Sequence, residues 1–341
     1  MKVYENILIS SLTTMRIGGP ARYVLEIAEP KDIPEAYGFA EAYWLPTFIL
    51  GGGANTIGHD EGFNGVILLN RLRGFNDQGG ILTIAAGEPW DSVVAYACEK
   101  GYTGIEALSK IPGLTGAAPV QNIGAYGQDL SQTFESATAY DTVTRGLVEL
   151  GAKDLDFSYR KSALNTTKQG RFFITSVTLR LKQGQMPRPF YNSIEAHIEE
   201  NHLTDFSPKG LRDIVTKIRA DKLPDPSIKP SAGSFFKNVY LDDRAAEAAI
   251  EKGYPVHRGK DGNKINAGWL IEQVGLKGQL LHGIRINDKA ALNLINESAG
   301  TYENLAKARG EIASAVYDKF GYWLEQEPVE IIDTKDKGAP K

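Results

Sequence analysis

Apolar residues recur along this chain with two different periods, and the change from one to the other marks its elements. Trp90, Val93, Val94 and Ala97 fall at i, i+3, i+4 and i+7, with Pro89 ahead of them and Gly101 behind, so the spacing predicts a helix over 90–98. Further on, Phe173, Thr175, Val177, Leu179 and Leu181 alternate with Ile174, Ser176, Thr178 and Arg180, the period of two expected of a strand with one buried face. The polar, proline-bearing stretch KQGQMPRP at 182–189 then reads as a connection or the base of an excursion. Helical spacing returns at Leu211, Ile214, Val215 and Ile218 and stops where Leu223 meets Pro224, since a residue before proline is pushed out of the helical region. LPDP there reads as a rigid linker. Two more helices are expected near 242–252 and 304–319, closed by Gly253 and Gly321, before a strand-like segment at 322–332 and a disordered DTKDKGAPK tail at 333–341. No stretch repeats at a fixed period, which argues against a solenoid or propeller. The mixture predicts an α+β protein.

Length and composition narrow this picture. At 341 residues the chain calls for two or three domains, if each takes roughly 100–150 residues. With 42% hydrophobic and 23% charged residues it has the balance of a soluble globular protein, and no run reaches the roughly 18–20 apolar residues of a membrane helix. The N-terminus has only Ile7, Leu8 and Ile9 after the acidic Glu5, so no export signal is read there and a cytoplasmic location is expected. The single cysteine, Cys98, excludes an internal disulfide and any multi-cysteine metal or cluster site. Five scattered histidines, His59, His197, His202, His257 and His282, show no metal-ligand spacing, so no metal is expected. A net charge of −4 without basic runs argues against a nucleic-acid binder; any bound polyanion should be small.

Two segments carry candidate chemistry. From Ile111 to Gly127 the chain reads IPGLTGAAPVQNIGAYG, with Gly113, Gly116, Gly124 and Gly127 inside fifteen residues, where average usage predicts roughly one. Such density lets backbone N–H groups approach a ligand without Cβ atoms in the way. Earlier, Gly51, Gly52 and Gly53 follow the apolar Phe48, Ile49 and Leu50, as in a strand-to-loop turn that forms an anion-binding nest. Both suit a pyrophosphate, although neither matches the dinucleotide GxGxxG context or the P-loop. The residues alone stop at a nucleotide-like ligand.

Seven motifs in order then resemble one family, the UDP-N-acetylenolpyruvoylglucosamine reductases. They are GGGANTI at 51–57, IPGLTGAAPVQNIGAYG at 111–127, SYRKS at 158–162, KLPDP at 222–226, AGSFFKN at 232–238, AGWLIEQVGLKG at 267–278 and LEQEP at 324–328. The resemblance implies an α+β fold with a two-lobed FAD-binding domain of the p-cresol methylhydroxylase type and a C-terminal α+β substrate-binding domain. By that likeness residues 1–70 with 320–341 form the first lobe, 71–222 the second, and 223–319 the substrate domain. It implies FAD and NADPH as cofactors, a cytoplasmic monomer, and reduction of UDP-N-acetylglucosamine enolpyruvate to UDP-N-acetylmuramate in peptidoglycan precursor synthesis. PFYNS at 189–193 resembles the tyrosine-bearing excursion of the family's longer form.

The resemblance also implies roles. Flavin contacts fall on Gly51, Gly52, Gly53, Ala54, Asn55 and Thr56, and on Ile111, Pro112, Gly113, Thr115, Gly116, Ala117, Pro119, Asn122, Ile123, Gly124, Tyr126 and Gly127. Hydride delivered from flavin N5 to the vinyl carbon leaves negative charge at C2 and its carboxylate, which must be stabilised and protonated. Arg160 resembles the family's catalytic arginine, a permanently charged fork that suits a carboxylate. Ser234 resembles its proton donor to C2. Glu327 resembles its third catalytic residue, with Glu325, two residues away and on the same face of a strand, as the competing carboxylate. Lys222 and Asn238 match positions that hold the substrate diphosphate, and Tyr159 and Tyr191 frame the substrate. In HGIRINDKAALNLIN the chain departs from its relatives, placing Ala290 where they carry a Gln or His near the substrate. Two other readings compete: another FAD-dependent oxidoreductase of the same domain type, which gives AGSFFKN and LEQEP no reason to occur together, and an inactive nucleotide-binding regulator, which gives no reason to keep Arg160, Ser234 and Glu327.

Overall fold

The computed structural model describes residues 1–259, 262–298 and 300–332, so the tail expected to be disordered, 333–341, lies outside the described residues. The chain divides into two compact units. One comprises Met1–Asn6, Arg22–Gly52 and Asn64–Asp221; the other comprises Ile7–Ala21, Gly53–Phe63 and the described residues from Lys222 onward.

The first unit is built on two sheets. Lys2–Leu8, Pro20–Ile27, Phe63–Asn70 and Thr47–Leu50 form one in that order, the last two strands parallel. The other, antiparallel, runs Gly146–Gly151, Phe134–Asp141, Phe172–Arg180, Ile81–Ala85, Phe75–Gln78. The expected helix is present as Trp90–Glu99 and buries Trp90, Val93, Val94, Ala97 and Cys98, in one core with Leu82, Ile84, Val177 and Leu179 of the sheet. Burying each large apolar side chain contributes roughly 1.5–3 kcal/mol, so this stripe anchors the helix. Burial pushes the Cys98 thiol up to about 12, with Glu106 adding to the effect.

The expected strand is Phe172–Arg180, but Phe172, Phe173 and Ile174 are all buried. Its first residues are covered on both faces: Phe173 packs in a second core with Tyr140, Leu25 and Ile33 of the helix Asp32–Ala42, while Ile174 joins the first. Alternation therefore holds only from Val177 on. After the short strand Lys182–Gln183, the helices Asn192–Asn201 and Pro208–Lys222 pack through Ile194, Ile198, Leu211, Ile214, Val215 and Ile218.

In the second unit, Ser231–Ser234, Asn293–Asn296, Ile284–Ile286 and Leu280–Leu281 make a four-stranded sheet, and Val239–Leu241, Gly262–Ile265 and Val256–Gly259 a three-stranded one. The expected helices are Asp243–Glu251, whose N-cap Asp242 accepts from the Ala245 N–H at 2.7 Å, and Tyr302–Phe320, closed by Gly321 in the left-handed region (φ 74°). Only glycine adopts that conformation without strain. The helix Ala267–Gln273, not foreseen from periodicity, is capped by Asn266. Phe235, Phe236, Leu270, Ile284, Leu294, Ile312 and Val316 fill the core with Met15, Ile17 and Ile57. The strand expected over 322–332 is corrected to Val329–Ile331, which pairs parallel with Thr56–Gly58. Pro328 has no N–H to give a ladder, and 322–328 is irregular apart from a bridge between Gln326 and Phe236.

Candidate functional site

Each unit gathers part of the residues singled out by the sequence. In the first, Gly51 and Gly52 leave the strand Thr47–Leu50 and approach the second glycine segment closely. A Cβ on Gly52 would stand 3.1 Å from the Gly113 Cα, and one on Gly116 would stand 2.5 Å from the Ala86 Cβ. Backbone bonds seat the segment on the start of the helix Trp90–Glu99: Trp90 N–H to Gly113 O at 3.1 Å, Thr115 N–H to Glu88 O and Gly116 N–H to Ala86 O, both at 2.8 Å. Gly113 and Gly127 take φ of 124° and 84°, with open space beside Gly127. The close approach of Gly52 to Gly113, with positive φ at Gly113 and Gly127, fits a backbone cradle for a pyrophosphate, as FAD requires.

The SYRKS turn is bonded to the same segment. Ser158 and Lys161 exchange backbone hydrogen bonds at 3.0 and 3.1 Å across Tyr159 and Arg160, and Arg160 sits at φ 54°. Its Nη2 donates to Gly124 O at 2.7 Å, its carbonyl accepts from Asn165 Nδ2 at 3.1 Å, and its guanidinium lies 5.0 Å from the Tyr159 ring centre. The buried Asn122 donates to Ser158 O at 3.2 Å, and Ser162 Oγ donates to Val120 O at 2.7 Å. A non-glycine residue in the left-handed region costs about 1–2 kcal/mol, and these bonds offset it. Thr115, Pro119 and Ile123 are buried, Ile111 is half-buried, and Pro112 and Ala117 are exposed. Tyr126 meets Tyr191 edge to face at 5.8 Å; Tyr191 precedes the helix Asn192–Asn201 and is 53% exposed.

Periodicity singled out the apolar face of the helix Pro208–Lys222 and missed its polar one. Arg212 makes two bonds to Asp91, at 2.7 and 3.0 Å, and Asp91 also accepts from the Lys110 N–H at 2.7 Å. Burial opposes ionisation of Asp91, yet Arg212 and Lys110 hold its carboxyl well below the usual range. Arg219 donates to Lys110 O at 3.2 Å and faces Tyr126, so it touches the residue before the glycine segment and a residue near its end. Burial lowers the Arg219 guanidinium while Tyr126 acts the other way. Arg212 and Arg219 stand seven apart, on one helical face, which is the signal that would have found them.

In the second unit, Gly53 takes φ 64°, and a Cβ there would meet Leu12 O at 2.1 Å. Ala54 and Asn55 are half-buried and lead into Thr56, the buried first residue of its strand. Ser234 is exposed at the end of Ser231–Ser234, where pairing with Asn293–Asn296 shifts register: Ser231 pairs with Ile295 and Ser234 with Asn293. Gly233 sits in that irregularity at φ 70°. A bulge with glycine in the left-handed region turns the next side chain out of the pleat, here the Ser234 hydroxyl. Phe235 and Phe236 beside it are fully buried and pin the turn.

The same segment holds Glu327. Its N–H donates to Phe235 O at 2.9 Å, its carbonyl accepts from Asn55 Nδ2 at 3.5 Å, and its side chain is half-buried. Glu325 is exposed and its carboxylate pairs with Lys237 Nζ. Lys222, exposed, gives its carbonyl to Asn287 Nδ2 at 3.1 Å. Asn238 Oδ1 accepts from the Ala267 N–H at 3.1 Å, a bond at the start of the helix Ala267–Gln273. Ala290 gives its carbonyl to the Asn293 N–H at 2.9 Å. The structure thus joins Arg160 and Tyr159 to the second glycine segment and Ser234 to Glu327 and Asn55, and it gives Asn238 a structural bond. Among the described residues no helix is long and apolar enough to cross a membrane.

Comparison with known proteins agrees with this division of parts. Residues 21–146 match the family model described as FAD binding domain, and residues 225–331 match that described as UDP-N-acetylenolpyruvoylglucosamine reductase, C-terminal domain. The UDP-N-acetylenolpyruvoylglucosamine reductase of Ralstonia nicotianae is 35% identical over 93% of this chain and 96% of its own. That of Cupriavidus pinatubonensis is 37% identical over 91% and 93%. The crystal structure of UDP-N-acetylenolpyruvylglucosamine reductase from Thermus caldophilus, 24% identical, matches 97% of this chain and 99% of its own with a TM-score of 0.69, and so shares its fold. The fold combines an FAD-binding domain with an α+β C-terminal domain, as expected from the motifs. The chain belongs to the UDP-N-acetylenolpyruvoylglucosamine reductase family of FAD-dependent oxidoreductases.

Proposed function

We propose that this protein reduces UDP-N-acetylglucosamine enolpyruvate to UDP-N-acetylmuramate with NADPH, as a cytoplasmic monomer in peptidoglycan precursor synthesis. The observation that carries this reading is the junction of Ser234 and Glu327: an exposed hydroxyl turned out by a bulge, on a segment whose next carbonyl accepts from the backbone of a half-buried carboxylate. A simple binding module has no use for a proton donor fixed in this way. Residues 1–70 with 320–341 and 71–222 would serve as flavin lobes and 223–319 as the substrate domain.

When bound, FAD supplies the two-electron carrier between NADPH and the vinyl carbon. The glycine segments at 51–56 and 111–127 would hold its pyrophosphate through their backbone, and a Cβ at Gly52 or Gly116 would disturb their close packing against Gly113 and Ala86. Arg160 Nη2 donates to Gly124 O, and a guanidinium fork grips the substrate carboxylate as charge develops at C2. Ser234 gives its proton to C2, forming the new C–H bond, and recovers one from water. A hydroxyl is a weak acid, but a carbanion is a much stronger base, so the transfer runs downhill once the oxygen lies in line. Glu327 orients the serine or water and polarises the intermediate carboxylate. Lys222 and Asn238 hold the diphosphate, and Tyr159 and Tyr191 frame the sugar nucleotide.

The direct test is product identity. Purified protein with NADPH and UDP-N-acetylglucosamine enolpyruvate is expected to yield a product heavier by two hydrogens with the mass of UDP-N-acetylmuramate. NADPH oxidation without that product would instead favour another FAD-dependent oxidoreductase of the same domain type.

A further inference from the structure

Glu327 lies on an irregular segment, and a catalytic group must be held to a fraction of an ångström. The residues flanking it show one source of that order. Gln326 Nε2 reaches past Glu327 to donate to Pro328 O at 2.7 Å and to Glu330 Oε1 at 3.2 Å. Gln326 Oε1 accepts from Arg309 Nη1 at 2.5 Å, and the same nitrogen donates to Glu330 Oε1 at 2.6 Å. The other Glu330 oxygen lies 2.9 Å from His59 Nε2, and the His59 ring stacks on Tyr302 at 3.7 Å. Arg309 and Tyr302 belong to the helix Tyr302–Phe320, whose first N–H groups, on Tyr302 and Glu303, are taken by the Asp60 carboxylate. His59 and Asp60 directly follow the strand Thr56–Gly58 that pairs with Val329–Ile331.

We infer that Arg309, Gln326 and Glu330 are positioning residues for Glu327, a polar clamp that ties the backbone on both sides of it to one helix. The inference rests on the catalytic reading of Glu327 above. Side-chain exposures of 29% for Arg309 and 22% for Glu330 place the pair in partial shelter, where a charged hydrogen bond holds geometry better than on the open surface. Val329 N–H donating to Asn55 O at 2.9 Å closes the far side. The clamp acts through the main chain: release of Gln326 and Pro328 frees the peptide units that carry Glu327.

The experiment uses the FAD-loaded enzyme and follows flavin absorbance in two separate half-reactions, reduction by NADPH and reoxidation by UDP-N-acetylglucosamine enolpyruvate, with thermal unfolding alongside. Arg309→Met is expected to slow reoxidation about 10- to 100-fold while leaving reduction within about 2-fold, the size of effect produced by a small misplacement of a reacting group. Arg309→Lys, which keeps a cationic donor, should recover most of the rate. Gln326→Ala, which keeps the Arg309–Glu330 pair, should slow the same half-reaction. In a Glu327→Gln background, Arg309→Met should add nothing, because both changes act through one carboxylate. Reoxidation unchanged in Arg309→Met and Gln326→Ala, or both half-reactions falling together with stability, would overturn the clamp while a slow Glu327→Gln left the catalytic reading standing. An unaffected Glu327→Gln would remove that reading and the clamp with it.

Discussion

Ser234 and the two nearby glutamates can be separated by single substitutions. If the Ser234 hydroxyl delivers the proton to C2, Ser234→Ala should let NADPH bleach the flavin at an unchanged rate, while substrate-driven return of the flavin slows by orders of magnitude. Equal losses in both half-reactions would contradict the role. LEQEP left Glu325 and Glu327 as alternatives, and the structure separates them physically: Glu325 pairs with Lys237 on the surface, whereas Glu327 is half-buried and bonded through its N–H to Phe235. An exposed ion pair is worth at most about 1 kcal/mol, so Glu325→Gln should change turnover less than about 5-fold. Glu327→Gln should cost far more, and the reverse order in a steady-state assay would exchange the assignments. At this scale the sequence was most informative where a residue sits in a motif, as Arg160 and Ser234 do. It was silent on Arg219, Arg309 and Glu330, because Lys110, Glu330 and His59, with which they respectively pair, lie 109, 21 and 271 residues away and no local spacing announces them.

Elements were legible in proportion to their length and to the clarity of their ends. Trp90–Glu99 and Tyr302–Phe320 were visible from apolar spacing and a closing glycine. The strand expected across 322–332 failed because alternating residues alone cannot show that a segment has a partner, and only Val329–Ile331 finds one. Asp32–Ala42 escaped because its residues offer only a weakly one-sided pattern, with Asp32 buried beside Ile33, Ala36 and Ala40. The glycine segments are a different kind of element, held together by what is missing. At Gly116 a Cβ would stand 2.5 Å from the Ala86 Cβ and 3.1 Å from its Cα. Backbone must move to admit it, so Gly116→Ala is expected to yield protein that loses flavin on gel filtration. Gly146→Ala, which meets nothing within 4 Å, should retain it. Equal flavin content in the two proteins would contradict the cradle.

For the whole molecule, the α+β class followed from spacing and motifs. The interleaving did not: Met15, Ile17 and Ile57 pack in one core with Phe235, Ile312 and Leu324, a core that joins residues more than 170 apart in sequence and that no window of apolar residues can display. Glu330 links this packing to pH. Burial opposes its ionisation, but hydrogen bonds from His59 and Arg309 hold its carboxyl at about 2, below its ordinary 4.5. The folded chain therefore binds fewer protons than the unfolded chain in that interval, so the stabilisation is complete above 4.5 and is lost as pH falls toward 2. Glu330→Gln should unfold at lower urea than the parent at pH 7, with the gap closing as pH falls from about 4.5 toward 2. A gap that stays constant with pH would contradict the ionised pair.

The central claim, that flavin chemistry here serves an enolpyruvyl sugar nucleotide, is tested most directly by the visible spectrum of the purified protein. Anaerobic NADPH should bleach its flavin bands, and UDP-N-acetylglucosamine enolpyruvate should then restore them. A colourless protein, or bleaching that this substrate does not reverse, would contradict it.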